Sequence, residues 1–195
     1  MALNEFESFR LVGGTCLSLQ LGHRVSTDID LFTDEEYDSV DFASLDKTLR
    51  ATFPFVSPPP IGGFISFGTS YFIGNSIEDS VKLDLFYTDP FVFPCIIEQN
   101  IRFSSIEEIA AMKMEVVGRG GRMKDFWDIH EILDHYTLDE MISFYLQRCP
   151  YGLAKEKLLQ QIVDFSFAEG DFLPNCLRDK DWDIIKLDLI DLVKA

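Results

Sequence analysis

The sequence predicts an α/β (α+β) fold, a small mixed β-sheet with helices followed by a C-terminal helical lobe. Three observations carry this. Two segments alternate with period 2 and read as strands, D-I-D-L-F at residues 28–32 and V-K-L-D-L-F-Y at residues 81–87. A glycine pair, Gly13-Gly14, separates an apolar run from a helix-like run. From Ser104 onward the apolar spacing turns helical and stays so. A boundary therefore falls near residue 104, with residues 1–104 as the core and 105–195 as a lobe that completes the cleft.

Taken in order, residues 9–12 (F-R-L-V) predict a short buried strand, and the glycine pair permits a tight turn. Thr15 then suits the N-cap of a helix over residues 16–21. Backbone N–H groups at that helix start form an anion site. In the following D-I-D-L-F, alternation puts Asp28, Asp30 and Phe32 on one face and Ile29 and Leu31 on the other. Two adjacent carboxylates repel, and need a cation or a shared proton to be tolerable. Oxygen-only ligands suit a hard ion, Mg²⁺ (or Mn²⁺), bridging substrate phosphates. A strand–turn–helix or a surface D-x-D alone is commonplace; together they point to phosphate chemistry.

Residues 33–41 read as an acidic loop, and residues 42–53 as an amphipathic helix with Phe42, Leu45, Leu49 and Phe53 on one stripe, ended by Pro54. The prolines at 58–60 and glycines at 62–63 read as a stiff connection and turn. Residues 64–73 contain a strand interrupted at Gly68, and residues 75–79 a turn. The segment 81–87 repeats the first acidic strand, with Lys82, Asp84 and Phe86 on one face. The two acidic strands are expected to be sheet neighbours with their aspartates on a common face. Asp84 is then a third carboxylate, able to hold an ion or to accept the proton of an attacking hydroxyl. Residues 96–103 supply one further strand.

Ser104 or Ser105 caps a helix over residues 106–117, with Ile106, Ile109, Ala110, Val116 and Val117 as its apolar stripe. Lys113 falls inside that stripe, where a lysine must snorkel out or meet an anion. Residues 118–122 (G-R-G-G-R) form a basic turn. The next helix, residues 124–136, turns Phe126, Ile129, Leu133 and Tyr136 to the core, with Asp125 bordering that face and Asp128 farther round. Helices over residues 138–147, 153–167 and 181–193 follow.

The G-G-T of residues 13–15 and the G-H-R-x-S-x-D-I-D-L-F of residues 22–32 resemble the opening of the nucleotidyltransferase superfamily, a Gly-Gly/Ser turn followed by D-x-D. Gly22-His23-Arg24 and Ser26 ahead of the aspartates, with A-x-K at 111–113 and K-D-x-x-D at 124–128, resemble the AbiEii/AbiGii-type toxin nucleotidyltransferases. Thr15 stands where the wider superfamily usually has serine. The resemblance implies a nucleotidyltransferase core and metal-dependent transfer of an NMP from an NTP to an acceptor hydroxyl, in tRNA for some members. It also implies a toxin of a toxin–antitoxin or abortive-infection system with a separate antitoxin protein. Carried onto this chain, it places the triphosphate at Gly13, Gly14 and Thr15 with Arg24 and Ser26, and the metal at Asp28, Asp30 and Asp84. Lys113 and Lys124 go to the nucleotide, and Asp125, with Asp128, to the motif needed for activity. Asp28, Asp30, Asp84, Lys113 and Asp125 are the expected catalytic set. On this reading, loss of the Lys113 ammonium weakens triphosphate binding at little cost in stability. The alternatives are a small-molecule (antibiotic-type) or protein nucleotidyltransferase, and a catalytically idle nucleotide-binding module.

Composition narrows the partners. With 17 basic and 33 acidic residues the net charge is −16, which argues against broad nucleic-acid binding and leaves room for an acceptor RNA only at a local basic patch. Four scattered cysteines predict free thiols rather than a disulfide framework or zinc site. No apolar run approaches the ~20 residues of a membrane span, and the acidic M-A-L-N-E-F-E-S-F start predicts no secretory signal, so the expected setting is cytoplasmic, with no membrane partner.

Overall fold

The computed structural model describes residue 1, residues 3–58 and residues 67–194 of the 195. Among them, seven strands and seven α-helices divide into two compact units, Met1–Cys16 with Thr27–Ser104, and Leu17–Ser26 with Ser105–Ala195. Residues 17–26 thus group with the later helices, whereas the sequence reading kept residues 1–104 together.

The first unit is built on one mixed sheet. Its strands are β1 (Arg10–Val12), β2 (Ile29–Thr33), β3 (Phe55–Val56), β4 (Gly68–Gly74), β5 (Ser80–Tyr87), β6 (Cys95–Glu98) and β7 (Ile101–Ser104), in the order β3-β4-β5-β2-β1-β7-β6. The alternating sequences determine which residues are covered: Leu31, Leu83 and Leu85 are buried, as are Leu11 and Val12 of β1. The helix α2 (Phe42–Thr52) starts at Asp41, whose side chain accepts from Ser44 N–H, and buries Phe42, Leu45 and Leu49 as its spacing predicts. It packs on β3 and β4.

Several boundaries differ from the sequence reading. Helix α1 (Gly13–Leu21) begins at Gly13 itself, so Thr15 lies inside the first turn and is no N-cap. Gly13 sits at φ +70°, where a side chain is strained, and this lets the strand pass into the helix without a loop. Strand β3 was not expected: two residues near prolines give no period to read. The segment 96–103 is a hairpin, β6 and β7, turned by Gln99 and Asn100 at φ 49° and 63°. These left-handed angles are those of a two-residue hairpin turn, although no glycine advertises it. The proline–glycine connection expected at 58–63 and the start of the strand expected at 64–73 lie, apart from Pro58, outside the described residues; β4 runs from Gly68.

The second unit is helical: α3 (Ile106–Gly118), α4 (Met123–Ile132), α5 (Leu138–Arg148), α6 (Lys155–Ile162) and α7 (Trp182–Lys194). Ser105 caps α3 by accepting from Glu108 N–H, and Thr137 and Glu140 form a reciprocal capping box on α5. Helix α3 packs against α4, α5 and α6, and α4 against α7. Ile109, Ala110, Met114 and Val117 are buried, but Val116 is 45% exposed, so it does not belong to the α3 core stripe. Helix α4 ends at Ile132, before the Leu133 and Tyr136 assigned to it from periodicity. No helix among the described residues is long and apolar enough to cross a membrane.

Candidate active site

In the first unit, β2 and β5 are parallel neighbours with Ile29 beside Leu83, Asp30 beside Asp84 and Phe32 beside Phe86. Because both strands alternate in step, Asp30 and Asp84 share one face, as the sequence predicts. Phe32 and Phe86 share it too and meet edge to face, their ring centroids 6.2 Å apart. Asp28 lies one residue ahead of β2. Thr15 Oγ1 donates to the Asp28 carbonyl, tying the first turn of α1 to the entry of the acidic strand. Gly13 adjoins Asp30 so closely that a Cβ there would collide with Asp30 Oδ2. The Asp30 carboxylate therefore lies at the N-terminal end of α1, where a helix favours negative charge.

Asp84 is held on both oxygens. Ser70 Oγ of the neighbouring β4 donates to Oδ1 at 2.6 Å, and Lys82 Nζ to Oδ2 at 2.5 Å. The hydrogen bond to Asp84 raises the Lys82 pKa; partial burial opposes this, and the charges of Asp84, Asp28 and Asp30 add to it. All three carboxylates thus act on one ammonium. Lys82 and Ser70 were given no role from the sequence. The signal for Lys82 was there: K-x-D in a strand places both side chains on one face. Ser70 reaches the site only through pairing of β4 with β5, which opposes Ser70 and Asp84. Among the described residues no group of three or more His, Cys, Asp or Glu side chains is gathered tightly enough to hold a metal ion.

The second unit carries a different ionic cluster. Asp128, fully buried, accepts from His23 Nε2 at 2.8 Å, from Arg24 Nε at 2.6 Å and from Arg24 Nη2 at 2.9 Å. Lys113 Nζ pairs with Asp128 Oδ2 at 2.6 Å and donates to Asp125 Oδ1 at 2.6 Å. Asp125 Oδ2 also accepts from Arg122 N–H, capping α4. Burial alone would push the Asp128 carboxyl up, but Lys113, Arg24 and His23 hold it well below the usual carboxylate range. Burial likewise disfavours the Lys113 charge, and the carboxylates of Asp128 and Asp125 outweigh it, leaving its pKa raised. Lys113 therefore meets anions rather than snorkelling, and Asp128 is central to the cluster rather than far round the helix. Lys124 and Ser26 are half-buried. In the basic turn, Arg119 pairs with Glu115 and Arg122 with Asp171, so both arginine charges are matched locally.

The family model for the AbiEii nucleotidyl transferase toxin of type IV toxin–antitoxin systems matches residues 2–188. The chain belongs to the AbiEii family. The uncharacterized protein aq_aa25 of Aquifex aeolicus (strain VF5) is 27% identical over 148 residues, 71% of this chain and 64% of that protein, so the match spans somewhat under two thirds of the relative's length. Among solved structures, a candidate nucleotidyltransferase from H. pylori superposes with a TM-score of 0.61 at 20% identity, covering 96% of this chain and 85% of that one. JHP933 from Helicobacter pylori gives 0.58 at 18% identity, with 96% and 82% covered. MenT4, a nucleotidyltransferase toxin from Mycobacterium tuberculosis H37Rv, gives 0.56 at 12% identity, with 95% and 75% covered. This AbiEii chain therefore has a nucleotidyltransferase fold. Its G-G-T and D-I-D motifs adjoin each other in the first unit, and its A-x-K and K-D-x-x-D motifs meet in the buried cluster of the second.

Proposed function

We propose that this AbiEii chain transfers a nucleoside monophosphate from a triphosphate to an acceptor hydroxyl on the Asp28–Asp30–Asp84 face, as the toxin of a cytoplasmic toxin–antitoxin pair. The observation that carries the reading is the register of Asp30 beside Asp84, with Gly13 pressed against Asp30. A fixed pair of hard oxygen donors beside a helix N-terminus suits a metal-bound triphosphate.

The residues present fit Mg²⁺ (or Mn²⁺). Mg²⁺ keeps much of its water and takes one or two carboxylates plus substrate phosphates, so a closed three-ligand cage is not required. Asp28 and Asp30, with Asp84, would hold the ion, and bound there it would supply charge neutralisation to the reacting phosphates. The chain's own groups do the rest. The N–H groups of Gly13, Gly14 and Thr15 at the start of α1 receive phosphate oxygens. Thr15 holds the Asp28 backbone in place, and Ser70 fixes one oxygen of the Asp84 carboxylate. The acceptor hydroxyl gives up its proton, to Asp84 or to solvent, as its oxygen attacks the α-phosphorus; the bond from that phosphorus to the bridging oxygen breaks, and pyrophosphate leaves. Positioning and charge supply most of the catalysis of phosphoryl transfer, so few groups suffice.

Lys113 and Asp125 enter the reaction on the family resemblance, as do Arg24, Ser26, Lys124 and Asp128 toward the nucleotide. Their ion pair makes Lys113 and Asp125 interdependent, so substitutions at either act alike. An RNA acceptor such as tRNA likewise enters on the family resemblance. The partner that silences the activity is a separate antitoxin protein.

The test is incorporation of α-labelled triphosphates into total RNA with and without Mg²⁺. Transfer that needs the ion and is abolished by Asp30→Ala supports the reading. Label in protein or in a small molecule moves the acceptor, and nucleotide binding with no transfer to any acceptor makes the chain an idle binding module.

A further inference from the structure

Lys82 has no part in the family motifs quoted above, yet it is the cation paired with one of the three carboxylates proposed to hold the metal ion. Its ammonium lies 2.5 Å from Asp84 Oδ2, on the face that Asp84 shares with Asp30. Its side chain is 38% exposed, whereas that of Asp84 is 14% exposed, so the lysine head can leave while the carboxylate stays. Ser70 holds the other Asp84 oxygen in either case. A lysine ammonium is a compact charge on a flexible stem, able to pass between anions a few ångströms apart.

Resting on the nucleotidyltransferase reading, we infer that Lys82 is a resident counter-ion that competes with the divalent cation for Asp84 and transfers to the triphosphate when nucleotide binds. Alone, the ion must displace the ammonium. With nucleotide, the phosphates draw the ammonium off and Asp84 becomes available. Lys82 thus makes metal binding conditional on substrate, and by linkage the metal strengthens nucleotide binding by the same factor.

The test is titration of Mn²⁺ into the nucleotide-free full chain, followed by the paramagnetic resonance of free Mn²⁺, then repeated with the α,β-methylene analogues of ATP, CTP, GTP and UTP. Lys82→Met removes the charge and keeps an unbranched stem; Lys82→Arg keeps the charge. Lys82→Met is expected to bind Mn²⁺ about tenfold more tightly than wild type without nucleotide, because an opposing charge beside the site is gone. It is also expected to bind the analogues more weakly without metal and to lose most of the coupling between the two. Lys82→Arg should retain that coupling, which a merely structural lysine gives no reason to expect. Unchanged or weaker Mn²⁺ binding by folded Lys82→Met overturns the inference. If that binding still needs Asp30, the nucleotidyltransferase reading stands; if wild type binds no Mn²⁺ even with the analogues, both fall.

Discussion

Two acidic clusters in this chain are built from the same parts to opposite ends. On the sheet, three carboxylates act on the half-exposed ammonium of Lys82. Among the helices, Asp125 and Asp128 meet Lys113 and Arg24 with less than a tenth of any of the four exposed. The first arrangement can exchange its cation with solvent. The second cannot lose one without leaving a charge buried. Carboxylates beside lysines in a sequence therefore say little until burial is known: the same pairing is open to solvent in one place and closed off from it in the other.

The comparison is broken most strongly by removing one charge from each cluster. Asp128→Ala leaves Lys113 and Arg24 buried without their shared partner and is expected to cost about 3–5 kcal/mol in urea unfolding. Asp84→Ala removes half of a partly exposed pair and should cost under ~1 kcal/mol. Equal costs would show that the clusters are not different in kind. For the same reason Lys113→Ala is now expected to destabilise, reversing the small cost read from the sequence.

A smaller effect sharpens the boundary between α1 and β2. Gly13→Ala imposes a left-handed residue with a side chain, about 1–2 kcal/mol, and forces Asp30 aside. Transfer activity should fall more than stability does. A variant with full activity would mean that Asp30 need not stay where Gly13 allows it.

The smallest effect is the dependence on pH. The Asp128 pKa is lowered in the folded chain, so its contribution is fully present above the unfolded value of ~3.9 and is lost as pH falls through the folded one. The Lys113 pKa is raised, so its contribution is present below ~10.4 and lost as pH rises through the folded value. The stability gap between wild type and Asp128→Asn should be level near neutral pH and narrow below about pH 4. A gap that widens with acid would contradict the pairing.

The acidic face was legible in the sequence because its determinants are local. D-I-D-L-F and K-L-D-L-F carry the same alternation, and that period fixes both the face and, once the strands pair, the register. The fold class followed from the same alternation together with the helical spacing after Ser104. What could not be read depends on distant residues or on backbone geometry. Asp128 looked peripheral because its partners, His23 and Arg24, lie about a hundred residues earlier. The start of α1 was misplaced because Gly13 enters the helix with a backbone angle that no capping residue announces. Ser70 gained its place only through strand pairing.

The most direct test of the central claim compares Asp30→Asn with wild type at equal folded fraction, following transfer of label from an α-labelled triphosphate together with the thermal midpoint. Asp30→Asn is expected to lose transfer on the order of 10³-fold with the midpoint nearly unchanged. A folded Asp30→Asn chain that transfers label within tenfold of wild type would contradict it.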